Sequence, residues 1–215
     1  MVNFDRVARV YRWLEYMAFG RALQRARVRW IDDLSPAKRG LIIGEGDGRF
    51  ICCLAQKWPR LVIDCVEASA EMIERAQRRL QALRTDASSI RFIQKDIRDW
   101  EPAGPYDLVV THFFLDCFDE NELEKIVSGI ASVLSAGGVW LLADFTVPDR
   151  GMGRACAQFL IALMYRFFRT FAGLQTKRLI DPTACLVANG LKRTGRTESL
   201  GGMVKSERWQ KERHA

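Results

Sequence analysis

The chain has 215 residues, 48% of them hydrophobic and 27% charged, with a net charge of +7. That length and balance suit one α/β unit with an ample core, and there are no internal repeats or low-complexity linkers. The charge is uneven: residues 1–40 carry net +5, residues 41–146 net −6 and residues 147–215 net +8. An acidic centre is thus flanked in sequence by basic segments. Those segments read either as solvated arginine faces or as a basic rim for an anionic partner, whether membrane surface, nucleic acid or acidic substrate.

Phe4, Val7, Tyr11, Leu14 and Ala18 fall at helical spacing, which predicts an amphipathic helix ending near Gly20. Asp5, Arg6 and Arg9 stand where a signal peptide would carry an apolar run, so no export signal is expected and a cytoplasmic location is. A second helix is expected over Arg21–Ile31, broken by Ser35-Pro36. Next, Leu41-Ile42-Ile43 runs into Gly44-Glu45-Gly46-Asp47-Gly48 and at once into a helical pattern. A strand, a glycine turn and a helix start in that order let backbone approach a nucleotide-like ligand closely. A second apolar run from Leu61 ends on Glu67, whose carboxylate can accept from both hydroxyls of a ribose.

The glycine spacing narrows the ligand. A dinucleotide loop places its third glycine where this chain has Arg49, and Glu45 is unhelpful beside a pyrophosphate. The same acid is harmless beside the amino-acid end of S-adenosylmethionine, which is therefore the expected cofactor.

Downstream, Ser69 is a helix cap before Met72, Ala76, Leu80 and Leu83, and Ile90–Gln94 is a strand ending at Lys95-Asp96. Tyr106–Thr111 is a further strand running into His112-Phe113-Phe114-Leu115-Asp116. Leu123, Ile126, Val127, Ile130 and Leu134 predict a helix stopped by Gly137-Gly138, and Val139–Phe145 is the fifth strand. A helical segment follows, then a short helix over Pro182–Asn189 and a hairpin turning at Leu200-Gly201-Gly202-Met203. Six cysteines (52, 53, 65, 117, 156, 185) form no C-x-x-C and no paired metal spacing. They read as small buried residues of a reducing cytosol, and no metal is expected.

Five alternating strands and a closing hairpin predict a doubly wound, Rossmann-like sheet of seven mostly parallel strands, with the last strand inserted antiparallel. At this point the chain resembles the class I S-adenosylmethionine-dependent methyltransferases. The residues that carry the resemblance are Gly44–Gly48, Glu67 with Ala68-Ser69-Ala70-Glu71-Met72, Asp96-Ile97, the strand from Asp107, and Gly137-Gly138. The opening Phe4-Asp5-Arg6-Val7-Ala8, Tyr11 and Phe19-Gly20 resemble the ubiquinone/menaquinone C-methyltransferase branch, with departures at Arg12 and at His112–Asp116. The implied organisation is one methyltransferase unit over 1–215. It has a helical cap (1–38), a cofactor core (39–146), a helical insertion or lid (147–180) and a closing helix and hairpin (181–215).

The resemblance implies roles position by position. Gly44, Gly46 and Gly48 would cradle the methionyl end, with Asp47 or Glu45 facing its ammonium. Glu67 would hold the ribose, beside Ala68, and Met72 would pack on the adenine. Asp96 would accept from the adenine amino group with Ile97 against the ring. Thr111, His112 and Phe113 would lie near the sulfonium, and Tyr11 would cap the cofactor. If the acceptor must lose a proton, His112 is the first candidate base and Asp116 the second, each weighed against a packing role.

The expected function is methylation of a small, hydrophobic molecule. Between Arg154 and Arg169, Phe159, Leu160, Ile161, Leu163, Met164, Tyr165, Phe167 and Phe168 crowd into the segment after strand five. That segment is read as a packed helix, an apolar lid, or an interfacial helix making weak contact with anionic membrane. No Asn/Asp-Pro-Pro-Tyr/Phe run is present, which argues against base-amino methylation of nucleic acid. A nucleic-acid methyltransferase using the basic flanks and a non-catalytic S-adenosylmethionine-binding or membrane-associating module are the alternatives. Oligomeric state is not legible.

Overall fold

The computed structural model describes residues 21–34, 37–148 and 179–213. Tyr11 and the Ala155–Phe171 segment lie outside the described residues. The described chain runs α1 (Ala22–Val28), β1 (Arg39–Ile43), α2 (Arg49–Lys57), β2 (Val62–Glu67), α3 (Ala70–Ala82), β3 (Ile90–Gln94) and β4 (Tyr106–His112). It continues through α4 (Glu120–Val133), β5 (Leu134–Phe145), α5 (Thr183–Ala188), β6 (Leu191–Ser199) and β7 (Val204–Lys211).

The seven strands order as β3-β2-β1-β4-β5-β7-β6. β1 to β5 run parallel to one another, while β7 lies antiparallel between β5 and β6. The strand order reverses between β1 and β4, which opens a crevice outside their carboxyl ends. The central strands read as continuous apolar runs because helices cover both faces. Leu41 and Ile43 of β1 pack on the face that carries α4, and Ile42 between them packs on the face with Phe50, Ile51 and Leu54 of α2.

Local sequence sets most boundaries. Ser69 caps α3 by accepting from the Met72 amide at 3.2 Å, and Asp119 with Glu122 forms a capping box on α4. One boundary differs from the sequence expectation. Helix α4 ends at Val133, and the following strand already includes Gly137-Gly138. The physical reason is tertiary. Lys211 on β7 donates to the carbonyls of Ala131 at 2.6 Å and Leu134 at 2.9 Å, supplying partners that a glycine cap would otherwise provide. The glycines serve the strand instead: Gly137 sits at φ +79°, and pairing with β4 shifts register between Tyr106 and Leu108. The hairpin turns where expected, with Gly201 and Gly202 both at positive φ between β6 and β7.

Candidate functional site

The loop from Gly44 to Gly48 leaves the end of β1 at the crevice, and its three glycines do three different jobs. All have positive φ, which L side chains rarely adopt. At Gly44 a Cβ would lie 2.4 Å from the Phe114 ring, and at Gly48 it would lie 2.5 Å from the Ala76 backbone on α3. Those two glycines permit packing within the protein. A Cβ on Gly46 would meet nothing within 4 Å, so this backbone alone borders open space. That is a cradle at the place where a ligand needs close approach.

Glu67 ends β2 beside that cradle. Its carboxylate accepts from the Gly46 amide at 3.0 Å and from the Ser69 amide at 3.0 Å. Two backbone bonds fix its direction at the edge of the cradle. The glycine loop and the acid are thus joined directly, as the sequence pairing of Gly46 with Glu67 suggested.

The other acids of the motif are arranged differently from expectation. Glu45 turns back on the helix that follows: its Oε1 accepts from the amides of Phe50 and Ile51, each at 3.0 Å. Burial pushes its carboxyl up to about 7, against the pull of those amides and of Arg27. Asp47 is held by Arg49 at 2.9 Å through one oxygen and by Arg79 at 3.1 Å through the other. Its carboxyl stays below the ordinary range because the two guanidinium groups outweigh desolvation. The two acids expected to face an ammonium are therefore both engaged inside the protein. Asp96 is likewise clamped by Arg98, at 2.9 Å and 2.6 Å, and caps the 3-10 turn Ile97–Asp99. Ile97 packs against the core, Met72 is buried on α3, and Ala68 is exposed.

At the end of β4 the expected trio divides between the faces of the sheet. Thr111 is fully buried, and its hydroxyl accepts from the Trp140 indole at 2.8 Å, so it braces β5 rather than opening on the crevice. His112 is 8% exposed and meets the Phe50 ring edge-on at 4.5 Å. Burial, with Arg27 nearby, holds its imidazolium well below the ordinary range. Phe113 takes φ +53°, an unusual conformation for an aromatic residue, and packs on Phe145 at 5.0 Å under the Arg27 guanidinium. Strain of that sort concentrates at functional sites.

Three residues past that kink, and buried, lies Asp116. Burial pushes its carboxyl up to about 6, and its charge acts in turn on Asp144 of β5, itself 2% exposed. Asp144 carries a signal that sequence reading passed over: a single carboxylate inside the apolar run Val139–Phe145. Beyond it, a cavity of about 570 Å³ opens at the carboxyl end of β5, with Phe145, Asp181, Arg196, Glu198 and Lys205 in its wall. Among the described residues, no group of three or more His, Cys, Asp or Glu side chains stands where it could hold a metal ion. No described helix is long and apolar enough to cross a membrane.

Comparison with known proteins gives this geometry a context. Residues 41–138 match the family model described as "Methyltransferase domain". Over 129 residues the chain is 30% identical to a trans-aconitate 2-methyltransferase of Mycobacterium tuberculosis, covering 58% of this chain and 45% of that protein. It is 28% identical to a malonyl-[acyl-carrier protein] O-methyltransferase of a Paenibacillus species, covering 49% of this chain and 38% of the relative. The chain spans less than half the length of these curated relatives. An O-methyltransferase family protein from Burkholderia thailandensis superposes with a TM-score of 0.71 at 18% identity, over 98% of this chain and 63% of that one. The N-methyltransferase NodS from Bradyrhizobium japonicum, in complex with S-adenosyl-L-homocysteine, gives 0.60 at 18% identity, over 88% of this chain and 83% of that one. The match to the family model is confined to residues 41–138, and the sheet that carries them shares the fold of the solved methyltransferases.

Proposed function

We propose that this methyltransferase domain belongs to an S-adenosylmethionine-dependent enzyme that methylates a small molecule. The observation that carries the reading is the junction of Gly46 with Glu67: an open backbone cradle bonded to a carboxylate at the end of the neighbouring strand. That junction fits an adenosine-type ligand better than a dinucleotide, because Arg49 occupies the position where a pyrophosphate loop needs its third glycine. The relatives named above transfer methyl groups to trans-aconitate and to a carrier-bound malonyl group, which is in keeping with a small acceptor.

The residues would act chiefly by holding and orienting. Gly44–Gly48 would receive the amino-acid end, Glu67 the ribose hydroxyls, and Met72, Ala68 and Ile97 would border the adenine. Asp96 would reach the adenine amino group only through the oxygen capacity that Arg98 leaves. Glu45 and Asp47 support this loop at one remove, by capping α2 and by tying it to Arg79 on α3. The cofactor supplies an activated methyl group, so orientation and exclusion of water account for much of the catalysis. Phe113 and His112 border the transfer point, where ring faces attract a sulfonium. Burial keeps His112 neutral and weakens it as a base; if the acceptor must lose a proton, it stays the first candidate and Asp116 the second.

The quinone-branch reading and the hydrophobic character of the acceptor rest on residues 4–20 and 155–171, as do the lid and the membrane contact. These remain part of the proposal on sequence grounds.

Calorimetry tests the core of the reading. S-adenosylmethionine or its demethylated product should bind and NAD should not. Glu67→Ala should weaken that binding by about 1.5–3 kcal/mol, the range for hydrogen bonds to a charged group. Gly46→Val should weaken it further by filling the cradle. Unchanged affinity in both variants would exclude this site.

A further inference from the structure

We propose that the cavity at the carboxyl end of β5 receives a carboxylate borne by the methyl acceptor, with Lys205 as the group that binds it. This rests on the methyltransferase reading and deepens it by naming the acceptor class: a small acid with an apolar body.

The geometry carries the inference. Lys205 lies on β7 and lines the cavity, yet its side chain is only 2% exposed. An ammonium has three N–H donors, and burying its charge is costly unless they are used. Among the described residues Asp181 is the one hydrogen-bond partner, accepting from Nζ at 2.9 Å, while Glu207 stands farther off at 3.9 Å. Two donors of a buried cation are thus left for whatever enters the cavity. An ionised oxygen matches them best, because charge-assisted bonds are about twice as strong as neutral ones.

The acids around Lys205 do not cancel this preference. Glu207 is buried and accepts from Arg193 at 3.0 Å, from Arg196 at 3.1 Å and from the Trp209 indole at 3.1 Å. Asp144 is the register partner of Lys205, and burial with the Asp116 charge raises its carboxyl well above the ordinary range. The side chains of Asp181 and Glu198 are 61% and 48% exposed, so water screens them, whereas the buried ammonium is screened much less. The floor of the cavity is therefore cationic, and its acids stand at the solvated rim. Phe145, Val147, Pro148 and Leu179 make the rest of the wall apolar, which suits a hydrocarbon body behind the carboxylate. Phe145 also ties the cavity to the proposed transfer point, since its ring packs on Phe113 at 5.0 Å. A volume of about 570 Å³ is in the range of small-molecule pockets. The carboxylate serves as a handle that orients the acceptor.

Calorimetry on the full chain loaded with S-adenosyl-L-homocysteine tests this, with benzoate as the probe. Benzamide, close in shape and uncharged, is the comparison. Benzoate should bind roughly ten- to a hundredfold more tightly, the range for hydrogen bonds to a charged group. Lys205→Gln should remove that preference and Lys205→Arg should keep it. Asp181→Asn should strengthen benzoate binding several-fold by weakening the one competing partner, and this arm decides alone if Lys205→Gln does not fold. High salt should leave the preference nearly intact, because Lys205 is buried. Benzoate no tighter than benzamide, a preference that survives Lys205→Gln, or no gain from Asp181→Asn would each overturn the proposal. So would a preference lost in salt, which would belong to exposed arginines. The same titration on the unloaded chain separates the two readings. Failure of S-adenosyl-L-homocysteine to bind defeats the methyltransferase reading, whereas failure of benzoate with that ligand bound defeats this one alone.

Discussion

Two sets of buried aspartates in this sheet behave in opposite ways. Asp64 in β2 is 3% exposed and receives Arg39 at 3.0 Å, Arg91 at 2.8 Å and the Tyr106 hydroxyl at 2.7 Å. Desolvation alone would raise its carboxyl, but the two guanidinium groups and the phenol hold it below the ordinary range. Asp116 and Asp144 are buried to a similar degree, and both are raised. Burial raises all three acids; at Asp64 alone do guanidinium partners and a phenol reverse it. The compensated carboxylate braces the strands β1, β2, β3 and β4, whereas the uncompensated acids keep a raised proton affinity.

The contrast can be broken first at the compensated acid. Asp64→Ala should destabilise the protein by roughly 3 kcal/mol, since it strands a buried Tyr106 hydroxyl and two guanidinium groups, both partly exposed and so able to recover some hydration. Denaturant unfolding measures this directly, and a loss under 1 kcal/mol would mean the cluster is ornamental. Next in size is Tyr106→Phe, which removes one hydrogen bond to a charged group and should cost about 1–2 kcal/mol while Asp64 keeps both arginines. Asp144→Asn should be smallest, within about 1 kcal/mol at pH 7, because burial already disfavours the charged form that the amide lacks.

Acidity sharpens the same contrast. Asp116 and Glu45, raised to about 6 and about 7, contribute stability that is full below their unfolded values near 4 and is lost as pH rises through 6 to 7. Asp181, lowered to about 2 by Lys205, contributes stability present above pH 4 and lost as pH falls toward 2. Asp64 acts in the same direction as Asp181. The melting temperature should therefore peak near pH 4–5. Glu45→Gln combined with Asp116→Asn should flatten the decline between pH 5 and 7, and an unchanged slope would show that neither group titrates there.

Much of the fold was legible because its signals are local. The alternation of apolar runs with helical periodicity, the Ser69 cap and the Gly201-Gly202 turn depend on residues a few positions apart. The part of the site closest to the backbone was legible for the same reason: glycines with positive φ at Gly44, Gly46 and Gly48, followed by an acid at a strand end. The helix boundary at Val133 was not, since the side chain that satisfies its carbonyls, Lys211, arrives from β7.

The sequence by itself determined the strand–loop–helix that offers Gly46, the placing of Glu67 at the end of the next strand, and a sheet of seven mostly parallel strands with an antiparallel close. Only the tertiary structure decided which acids remain open to chemistry. Glu45 turned onto α2, Asp47 and Asp96 closed on arginines, and Thr111 turned to Trp140. The charge of Asp116 acts on Asp144 across 28 positions of chain. The reason is physical: spacing fixes which residue types recur along one element, but the direction of a side chain and the charge it meets depend on strand register and on what packs from the other face.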